Sequence, residues 1–332
     1  MSWIEELRYD PIKPLLESEN VFIRYFTTRD ILDEQVADIS SIWNMKEPQN
    51  ILKKQQANGS WRSYSKNSEK YPLVNYELIE TWKQYRYLIE MYQFDKSIEA
   101  VEKASEYIFS CQSVEGDIRG ILANQYAMYY TGAILYLLIR AGYQNDHRVD
   151  AGMKWLLSRR QDDGGWVGTP SQTLHLSGRM IKELTTTDRI LQEHDTSMPS
   201  SYHFTGMVIR AFVLHPEYRE LDSVRRAAAI LKSGFFQPDR YTSYHHREHW
   251  IRFQFPFWWN NLVSALDSLS YLHFTSDDED ISLALQWLQE YQTAEGLWKN
   301  SYSSIHGSKP SREVQLWISL CICRILKRFD EK

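Results

Sequence analysis

Residues 155–166, WLLSRRQDDGGW, end a helical pattern of apolar residues in a turn that runs from Gln through Gly to Trp. The same order returns in residues 51–61, ILKKQQANGSW, and in residues 287–298, WLQEYQTAEGLW. Looser copies are YIFSCQSVEGDIRG at residues 107–120 and ILKSGFFQPDRY at residues 230–241. Self-similarity at roughly 50 to 60 residues is the signature of a repeated structural unit. The five segments therefore predict a chain built from repeated helical hairpins.

The order of residues in these turns has a physical reason. A Gly directly after the last helical turn adopts the left-handed conformation that caps a helix. We expect the Gln side chain to bond backbone groups of the turn and the Trp to fold back over the start of the next helix. Unrelated Gly-capped helix ends are the alternative, but three copies share Gln, Gly and Trp in the same order.

A second, more apolar helix is expected after each turn, over residues 76–92, 126–141, 202–214, 258–272 and 312–329. With N-terminal helices inside residues 1–45, these make about six hairpins. An open stack would leave two apolar ends exposed, whereas a closed ring of inner and outer helices leaves none. The sequence thus predicts an all-α fold, an α/α toroid, as a single domain over residues 1–332 with an insertion at residues 168–201.

The composition limits the classes of function. The 332 residues are 43% hydrophobic and 24% charged, as in an ordinary soluble globular chain. The net charge of −5 leaves no basic excess for nucleic acid. Aromatic residues make up 14% of the chain. That is enough both to pack helices and to line a cavity for an apolar or cationic ligand.

The cysteines and the chain's start indicate a compartment. Cys111, Cys321 and Cys323 have neither a disulfide framework nor metal-ligand spacing. No apolar signal segment opens the chain, and no run of about 18 apolar residues occurs. We therefore expect a cytoplasmic protein without a cofactor, one face of which remains available for peripheral membrane contact. The sequence does not predict an oligomeric state.

The turn QDDGGW and its copies resemble the QW repeats of squalene-hopene and oxidosqualene cyclases, and the repeats of protein prenyltransferase β subunits. The resemblance covers residues 50–329 and implies an α/α barrel with its ligand cavity at the mouth or centre of the inner helices. Stand-alone prokaryotic proteins of unassigned function carry the same repeat, and residues 14–32, 253–269 and 309–329 look typical of them. One fold hosts many chemistries, so the resemblance is strong for fold and weak for reaction.

The resemblance implies a place for the catalytic acid. Class II cyclases carry Asp-x-Asp-Asp-Thr-Ala at the start of an inner helix, and its central Asp is the acid. Here the corresponding places hold uncharged pairs, which are Tyr129-Tyr130 before Thr131, His203-Phe204, and Asn260-Asn261. Only the first inner helix offers carboxylates, Glu77 and Glu80, the latter just before Thr81.

No metal site is predicted. The prenyltransferase zinc site needs Asp, Cys and His from inner helices, and no residue here matches it. His245, His246 and His249 have the spacing of a metal-binding helix face, but they fall in an expected polar loop. The acidic run at residues 277–280 is expected to start an outer helix, where acids interact favourably with the helix dipole.

If the ring closes, the starts of the inner helices meet at one mouth, where an aromatic pocket with few polar groups is the default ligand site. The candidate catalytic residues are Glu77, Glu80 and His203. The candidate ligand-binding residues are Tyr126, Tyr130, Trp258, Trp259, Asn260, Arg312 and Glu313. The structural alternatives are salt bridges for the two catalytic glutamates and helix capping for His203 and Arg312.

Three functional hypotheses follow. The first is a terpenoid-cyclase-like protein that binds an apolar, isoprenoid ligand in a central aromatic cavity, and is an isomerase or lyase if it is an enzyme. The second is a carbohydrate-active enzyme similar to α/α-toroid polysaccharide lyases, with Arg312 as its basic group. The third is a non-catalytic binding or scaffold protein, which the loss of the acid motif favours. The insertion at residues 168–201 fits a lid over the mouth, to which Asp195 would bring an acid, and the alternative is a disordered segment or a surface helical excursion.

Overall fold

The computed structural model describes residues 3–168, 191, 194–241, 247–299 and 309–332. Within these ranges the chain forms twelve α-helices and no β-strand, which confirms the all-α class expected from the sequence. His245, His246 and most of the predicted insertion lie outside the described residues.

The helices follow the order expected of the helical hairpins of an α/α toroid. In each hairpin a first helix comes before the turn and a second helix comes after it. They are α1 (Ile12–Leu16), α2 (Val21–Phe26), α3 (Lys46–Leu52), α4 (Tyr76–Arg86), α5 (Glu99–Ser110), α6 (Met128–Leu138), α7 (His147–Ser158), α8 (Tyr202–Leu214), α9 (Asp222–Ser233), α10 (Leu262–Leu269), α11 (Glu279–Glu290) and α12 (Lys309–Asp330). Single π-helical turns extend α2, α4 and α6, at Thr27–Ile31, Tyr87–Met91 and Ile139–Tyr143. Short 3₁₀ segments lie at Ile39–Ile42, Tyr218–Glu220 and Arg247–His249.

One predicted helix begins later than expected. The sequence places it from residue 258, but α10 starts at Leu262. Asn261 caps the helix, because its side chain accepts from the Ser264 N–H at 3.1 Å while its own N–H donates to Ser264 Oγ at 2.9 Å. Trp258, Trp259 and Asn260 therefore precede the helix rather than open it.

The described chain divides into two compact units. Unit 1 contains Met1–Ile42, Lys232–Gln237 and His246–Lys332, and unit 2 contains Trp43–Leu231 and Pro238–His245. The single domain over residues 1–332 stays a prediction.

Helix α6 is the centre of unit 2. Every one of its residues except Tyr130 is buried, and it packs against α4, α7 and α8. Gly132 permits the closest of these contacts, since a Cβ built there would lie 2.7 Å from the Cα of Val208 in α8. The absence of a side chain at this position therefore sets how closely the two second helices approach.

In unit 1 the two ends of the chain meet. Helix α12 packs against α1 and α2 as well as against α10. Gln292, in the last turn, is bonded twice to Tyr9: its Nε2 donates to the Tyr9 carbonyl at 2.7 Å, and its Oε1 accepts from the Tyr9 N–H at 2.9 Å. The last hairpin is thereby fastened to the first.

The turn glutamines repeat one hydrogen-bond pattern. The Nε2 atoms of Gln55, Gln112 and Gln292 donate to the carbonyl of the Gly four residues later, at 2.9, 2.7 and 2.9 Å. Each also donates to a carbonyl at the beginning of another hairpin, those of Ala100, Arg148 and Tyr9 respectively. Each Gln therefore closes its own turn and joins two hairpins.

The turn tryptophans fold back onto the helix that precedes them. The indole Nε1 atoms of Trp61, Trp166 and Trp298 donate to carbonyls ten residues earlier, at 2.9, 2.8 and 2.6 Å. The expectation that the ring covers the start of the next helix stays a prediction. A buried indole N–H usually finds an acceptor, and here a carbonyl near the C-terminus of the preceding helix supplies it.

Candidate functional site

Four hydroxyl residues of second helices, among them Thr81 and Thr131 from the places that the resemblance gives to the Thr of the acid motif, have a packing role. The backbone N–H groups that arrive from the turns donate to them, in the pairs Trp61–Thr81, Ile118–Thr131, Trp166–Thr205 and Trp298–Ser319, at 3.0, 3.1, 3.0 and 3.0 Å. All four hydroxyl residues are fully buried. A buried N–H without a partner is costly, so in these four second helices the hydroxyl stabilises the packing of the turn whatever the chemistry of the protein.

Three second helices of unit 2 bring aromatic rings together. Trp82 of α4 meets Tyr130 of α6 edge-on, with ring centroids 5.3 Å apart. Tyr129 stacks on Phe204 of α8 at 4.5 Å with an angle of 11° between the rings, and Tyr129 and Tyr130 are 4.4 Å apart. Trp82, Tyr129 and Phe204 are buried, whereas Tyr130 is half-buried. These four residues are called the aromatic cluster below.

The two candidate carboxylates are engaged by polar neighbours. Glu80 Oε1 accepts from Gln84 Nε2 at 2.5 Å and lies 3.5 Å from Lys83 Nζ. Glu77 Oε1 accepts from Gln56 Nε2 at 3.3 Å. The ion pair of Glu80 is part-exposed and therefore weak, so the amide bond is its firmer contact. The catalytic roles of Glu77 and Glu80 stay predictions.

His203 lies at a helix start that is capped by an acid from another segment. Asp239 Oδ2 accepts from Ser201 Oγ at 2.8 Å and from the His203 N–H at 3.0 Å. Ser201 Oγ in turn accepts from the Phe204 N–H at 3.1 Å. Both Asp239 and His203 are buried, at 2% and 4% exposure. The sequence analysis missed Asp239, whose only signal is its place after Pro238 in the fourth turn.

Tyr126 belongs to an ionic network around the second turn. Its hydroxyl donates to Glu115 Oε2 at 2.7 Å, and the guanidinium groups of Arg119 and Arg159 lie 5.0 and 4.5 Å from its ring centroid. Burial and the hydrogen bond to Glu115 raise the pKa of Tyr126. Its role in ligand binding stays a prediction.

Deeper in unit 2 lies a group of buried charges that the sequence analysis did not single out. Arg210 Nη2 of α8 donates to Glu90 Oε1 at 2.5 Å, and both side chains are at most 3% exposed. The Arg210 guanidinium also lies 4.0 Å from the ring centroid of Tyr136. Burial lowers the pKa of the nearby Arg86 to about 10, while Glu90 acts in the opposite direction. Trp82, Arg86 and Glu90 follow one another at four-residue spacing, which was the available signal.

In unit 1 the starts of two second helices are tied together. Glu313 Oε1 of α12 accepts from Asn20 Nδ2 at 2.7 Å, and Asn20 Oδ1 caps α2 by accepting from the Phe22 N–H at 2.9 Å. Arg312 donates to Glu295 and, at 3.3 Å, to Gln315. The guanidinium group of Arg312 therefore forms an ion pair with Glu295 of the last turn.

The loop before α10 holds the remaining candidates. Trp258 and Trp259 are half-buried, and Asn260 is 3% exposed. Asn260 Oδ1 accepts from Ser264 Oγ at 3.3 Å, while Nδ2 has no hydrogen-bond partner among the described residues. Their grouping with the candidates of unit 2 stays a prediction.

The described ranges give no sign of a metal cluster or of a membrane span. They contain no group of three or more His, Cys, Asp and Glu side chains placed to hold a metal ion. None of the described helices is long and apolar enough to cross a membrane.

Asp195, the acid expected from the insertion, is exposed. Its Oδ1 accepts a hydrogen bond from the Ser197 Oγ at 2.6 Å.

Comparisons with known proteins give a likeness in fold. No family model matches the chain, and no curated protein matches it significantly. Among solved structures, a protein from Actinoplanes is 14% identical, over 98% of this chain and 89% of its own, with a TM-score of 0.49. An apo variant of the type II terpene cyclase MstE from Scytonema is 12% identical, over 99% and 87%, with a TM-score of 0.46. A second MstE variant, in complex with the substrate geranylgeranyl dihydroxybenzoate, gives the same values.

At these identities and TM-scores no residue role is transferred from those proteins. The chemistry of the site therefore rests on this chain's own side chains. The aromatic cluster consists of apolar rings in mutual contact, and the candidate carboxylates Glu77 and Glu80 accept hydrogen bonds from amide groups.

Proposed function

We propose that the protein binds an apolar ligand of the isoprenoid class against the aromatic cluster of unit 2. The observation that carries the proposal is the contact of Trp82, Tyr129, Tyr130 and Phe204, which come from three different second helices. Aromatic rings of this kind bury a large apolar area and provide well-defined contact geometry. The sequence resemblance to QW-repeat cyclases supports an isoprenoid chain as the occupant.

The partly exposed ring of Tyr130 gives a ligand access to this cluster. Trp82, Tyr129 and Phe204 are at most 6% exposed and act as the wall, while Tyr130 is the half-buried member. An apolar chain that covers Tyr130 would gain about 25 cal/mol for each Å² of apolar surface removed from water. A branched polyene also presents its π-electrons to the ring edges.

The reaction is unassigned, and non-catalytic binding is the second candidate. It is favoured by the contacts of Glu80, whose Oε1 accepts from Gln84 and lies near Lys83. A general acid must place its proton within hydrogen-bond reach of the substrate. Both contacts of Glu80 involve Oε1, so a proton donated by this carboxyl group while they persist would come from Oε2.

Binding is tested by equilibrium dialysis of the purified full-length chain against radiolabelled geranylgeraniol, with squalene as a longer probe. We expect saturable binding that Phe204→Ala and Tyr130→Ala each weaken by about tenfold, equivalent to roughly 1.4 kcal/mol. Tyr64→Ala is the matched control, because Tyr64 is 83% exposed in the same unit. Absence of saturable binding to either probe, or equal binding by all variants, overturns the proposal.

Catalysis is tested separately by mass spectrometry of the extracted lipid after incubation. A product that disappears in Glu80→Gln, while dialysis shows unchanged affinity, identifies an enzyme with Glu80 as its acid. Unchanged lipid in the wild-type sample, together with saturable binding, identifies a non-catalytic binding protein.

A further inference from the structure

Unit 1 contains a cleft that is separate from all the candidate residues considered above. It has a volume of about 470 Å³ and lies at the C-terminal end of α11 and the turn that follows. The side chains that decide its chemistry are those of Phe253, Trp287, Glu290, Tyr291 and Lys299. Pockets for small molecules have volumes of roughly 300 to 1,000 Å³, so the cleft is large enough for one.

Three aromatic rings form one wall of the cleft. Trp287 and Tyr291, one helical turn apart, stack with centroids 4.0 Å apart and an angle of 13° between the rings. Phe253 meets Trp287 edge-on at 5.8 Å, with an angle of 89°. Phe253 is only 3% exposed, whereas Tyr291 is 57% exposed. Phe253 and Trp287 thus support Tyr291 as a platform that is open to solvent.

The polar part of the cleft carries both signs of charge. Glu290 is exposed and accepts from Gln286 Nε2 at 3.0 Å, and Lys299 is exposed as well. A carboxylate is a hydrogen-bond acceptor and an ammonium group is a donor. The cleft therefore presents one strong acceptor and one strong donor beside an aromatic surface.

The backbone beneath the cleft is held in place. Gln292 bonds the carbonyls of Tyr9 and Gly296, and the Thr293 N–H donates to the Leu297 carbonyl at 2.7 Å. A site that is already ordered loses less conformational entropy when a ligand binds. The backbone that carries Tyr291 is therefore preorganised for ligand binding.

We propose that this cleft binds a neutral pyranose sugar. The C–H face of a pyranose ring is apolar and matches the exposed Tyr291 platform, while its hydroxyl groups both donate and accept and so match Glu290 and Lys299. An anion would meet Glu290 and a cation would meet Lys299, so a charged ligand gains from one group and loses to the other. The proposal is independent of isoprenoid binding, because the aromatic cluster lies entirely in unit 2.

The test titrates the full-length protein with cellobiose, maltose and xylobiose, followed by saturation-transfer NMR. Choline chloride and sodium benzoate serve as the cationic and anionic probes. We expect saturable binding of at least one disaccharide that Tyr291→Ala weakens by about tenfold or more. Tyr64→Ala, at an exposed tyrosine of unit 2, should leave the affinity unchanged. Because Tyr291 is largely exposed, its removal should leave the unfolding midpoint near that of the wild type.

Glu290→Gln provides a second readout. It keeps an acceptor oxygen but removes the charge, so disaccharide affinity should fall by only a few-fold while choline affinity does not rise. The proposal is overturned if no disaccharide binds saturably, if Tyr291→Ala binds as tightly as the wild type, or if choline or benzoate binds more tightly than every sugar.

Discussion

The backbone N–H of Trp166 donates to Oγ1 of Thr205 at 3.0 Å, and both residues are completely buried. Thr205 occupies the place at which the family resemblance would put the Thr of a catalytic acid motif. Equivalent bonds in other hairpins have the same geometry. A residue pattern that looks like the remnant of an active site is therefore explained by the packing of a turn on the next helix.

Replacing Thr205 by Val should destabilise the protein by about 1–3 kcal/mol, because the Trp166 N–H would be left buried without an acceptor. The change preserves the shape of the side chain and adds no cavity. Urea unfolding followed by circular dichroism measures the effect. Thr205→Ser keeps the hydroxyl and should retain most of the stability; a Val variant as stable as the Ser variant would contradict this assignment.

Replacing Gln112 by Leu should cost about 1–3 kcal/mol, since two carbonyls lose their shared donor. These are the carbonyls of Gly116 in the turn and of Arg148 in α7. Amide hydrogen exchange should also accelerate at the beginning of α7. The matched control is Gln286→Leu, at an exposed glutamine whose amide bonds only Glu290 among the contacts described. Equal losses in the two variants would mean that Gln112 does not join the hairpins.

Alanine substitutions at two glycines with positive φ distinguish the cost of backbone strain from the cost of a steric clash with a neighbouring residue. Gly59 has φ of +87° and a Cβ there would lie 2.1 Å from the Lys103 carbonyl oxygen, whereas Gly142 has φ of +96° and its Cβ would meet only the flexible Lys96 side chain at 3.4 Å. Gly142→Ala should therefore cost about 1–2 kcal/mol for the left-handed conformation. Gly59→Ala should cost distinctly more and lower the thermal midpoint further. A smaller loss at Gly59 would show that the turn can move away from α5.

Asp30 should make a contribution to the free energy of unfolding that depends on pH. Burial raises its pKa, but the charges and hydrogen bonds of Arg324 and Arg29 outweigh burial, so its net pKa lies below the ordinary value of 3.8. Arg324 Nε donates to Asp30 Oδ2 at 2.8 Å. A lowered pKa in the folded state means that the stabilisation is complete above 3.8 and is lost as the pH falls through the folded value.

Urea midpoints of the wild type and Asp30→Asn, measured from pH 7 downward, provide the test. Their difference should be constant to about pH 5 and should shrink below about pH 4. Asp277→Asn, which removes the charge of an exposed aspartate, is the matched control. A difference that grows on acidification would mean that Asp30 is not held ionised by its arginines.

The helical hairpins were predictable because their signals are local. The spacing of apolar residues sets where a helix lies, so α4, α6 and α8 agree closely with expectation. The predicted Gly caps were wrong, because α3, α5 and α7 end at Leu52, Ser110 and Ser158, whereas Gly59, Gly116 and Gly164, all with positive φ, lie six or seven residues later, inside the turns. The late start of α10 is likewise determined by residues that are neighbours in the sequence. Asn261 and Ser264 form a capping box that the sequence analysis did not recognise.

What the sequence by itself determined is the all-α class, the repeated turn and the chemical character of the second-helix starts. Only the tertiary structure decided which of those residues touch. Tyr129 stacks on Phe204, Glu90 pairs with Arg210 over a separation of 120 residues, and Asp239 caps α8 from another segment. The physical reason is that propensity and periodicity act within one helix, whereas the partner of a buried side chain depends on the packing of helices distant in the chain.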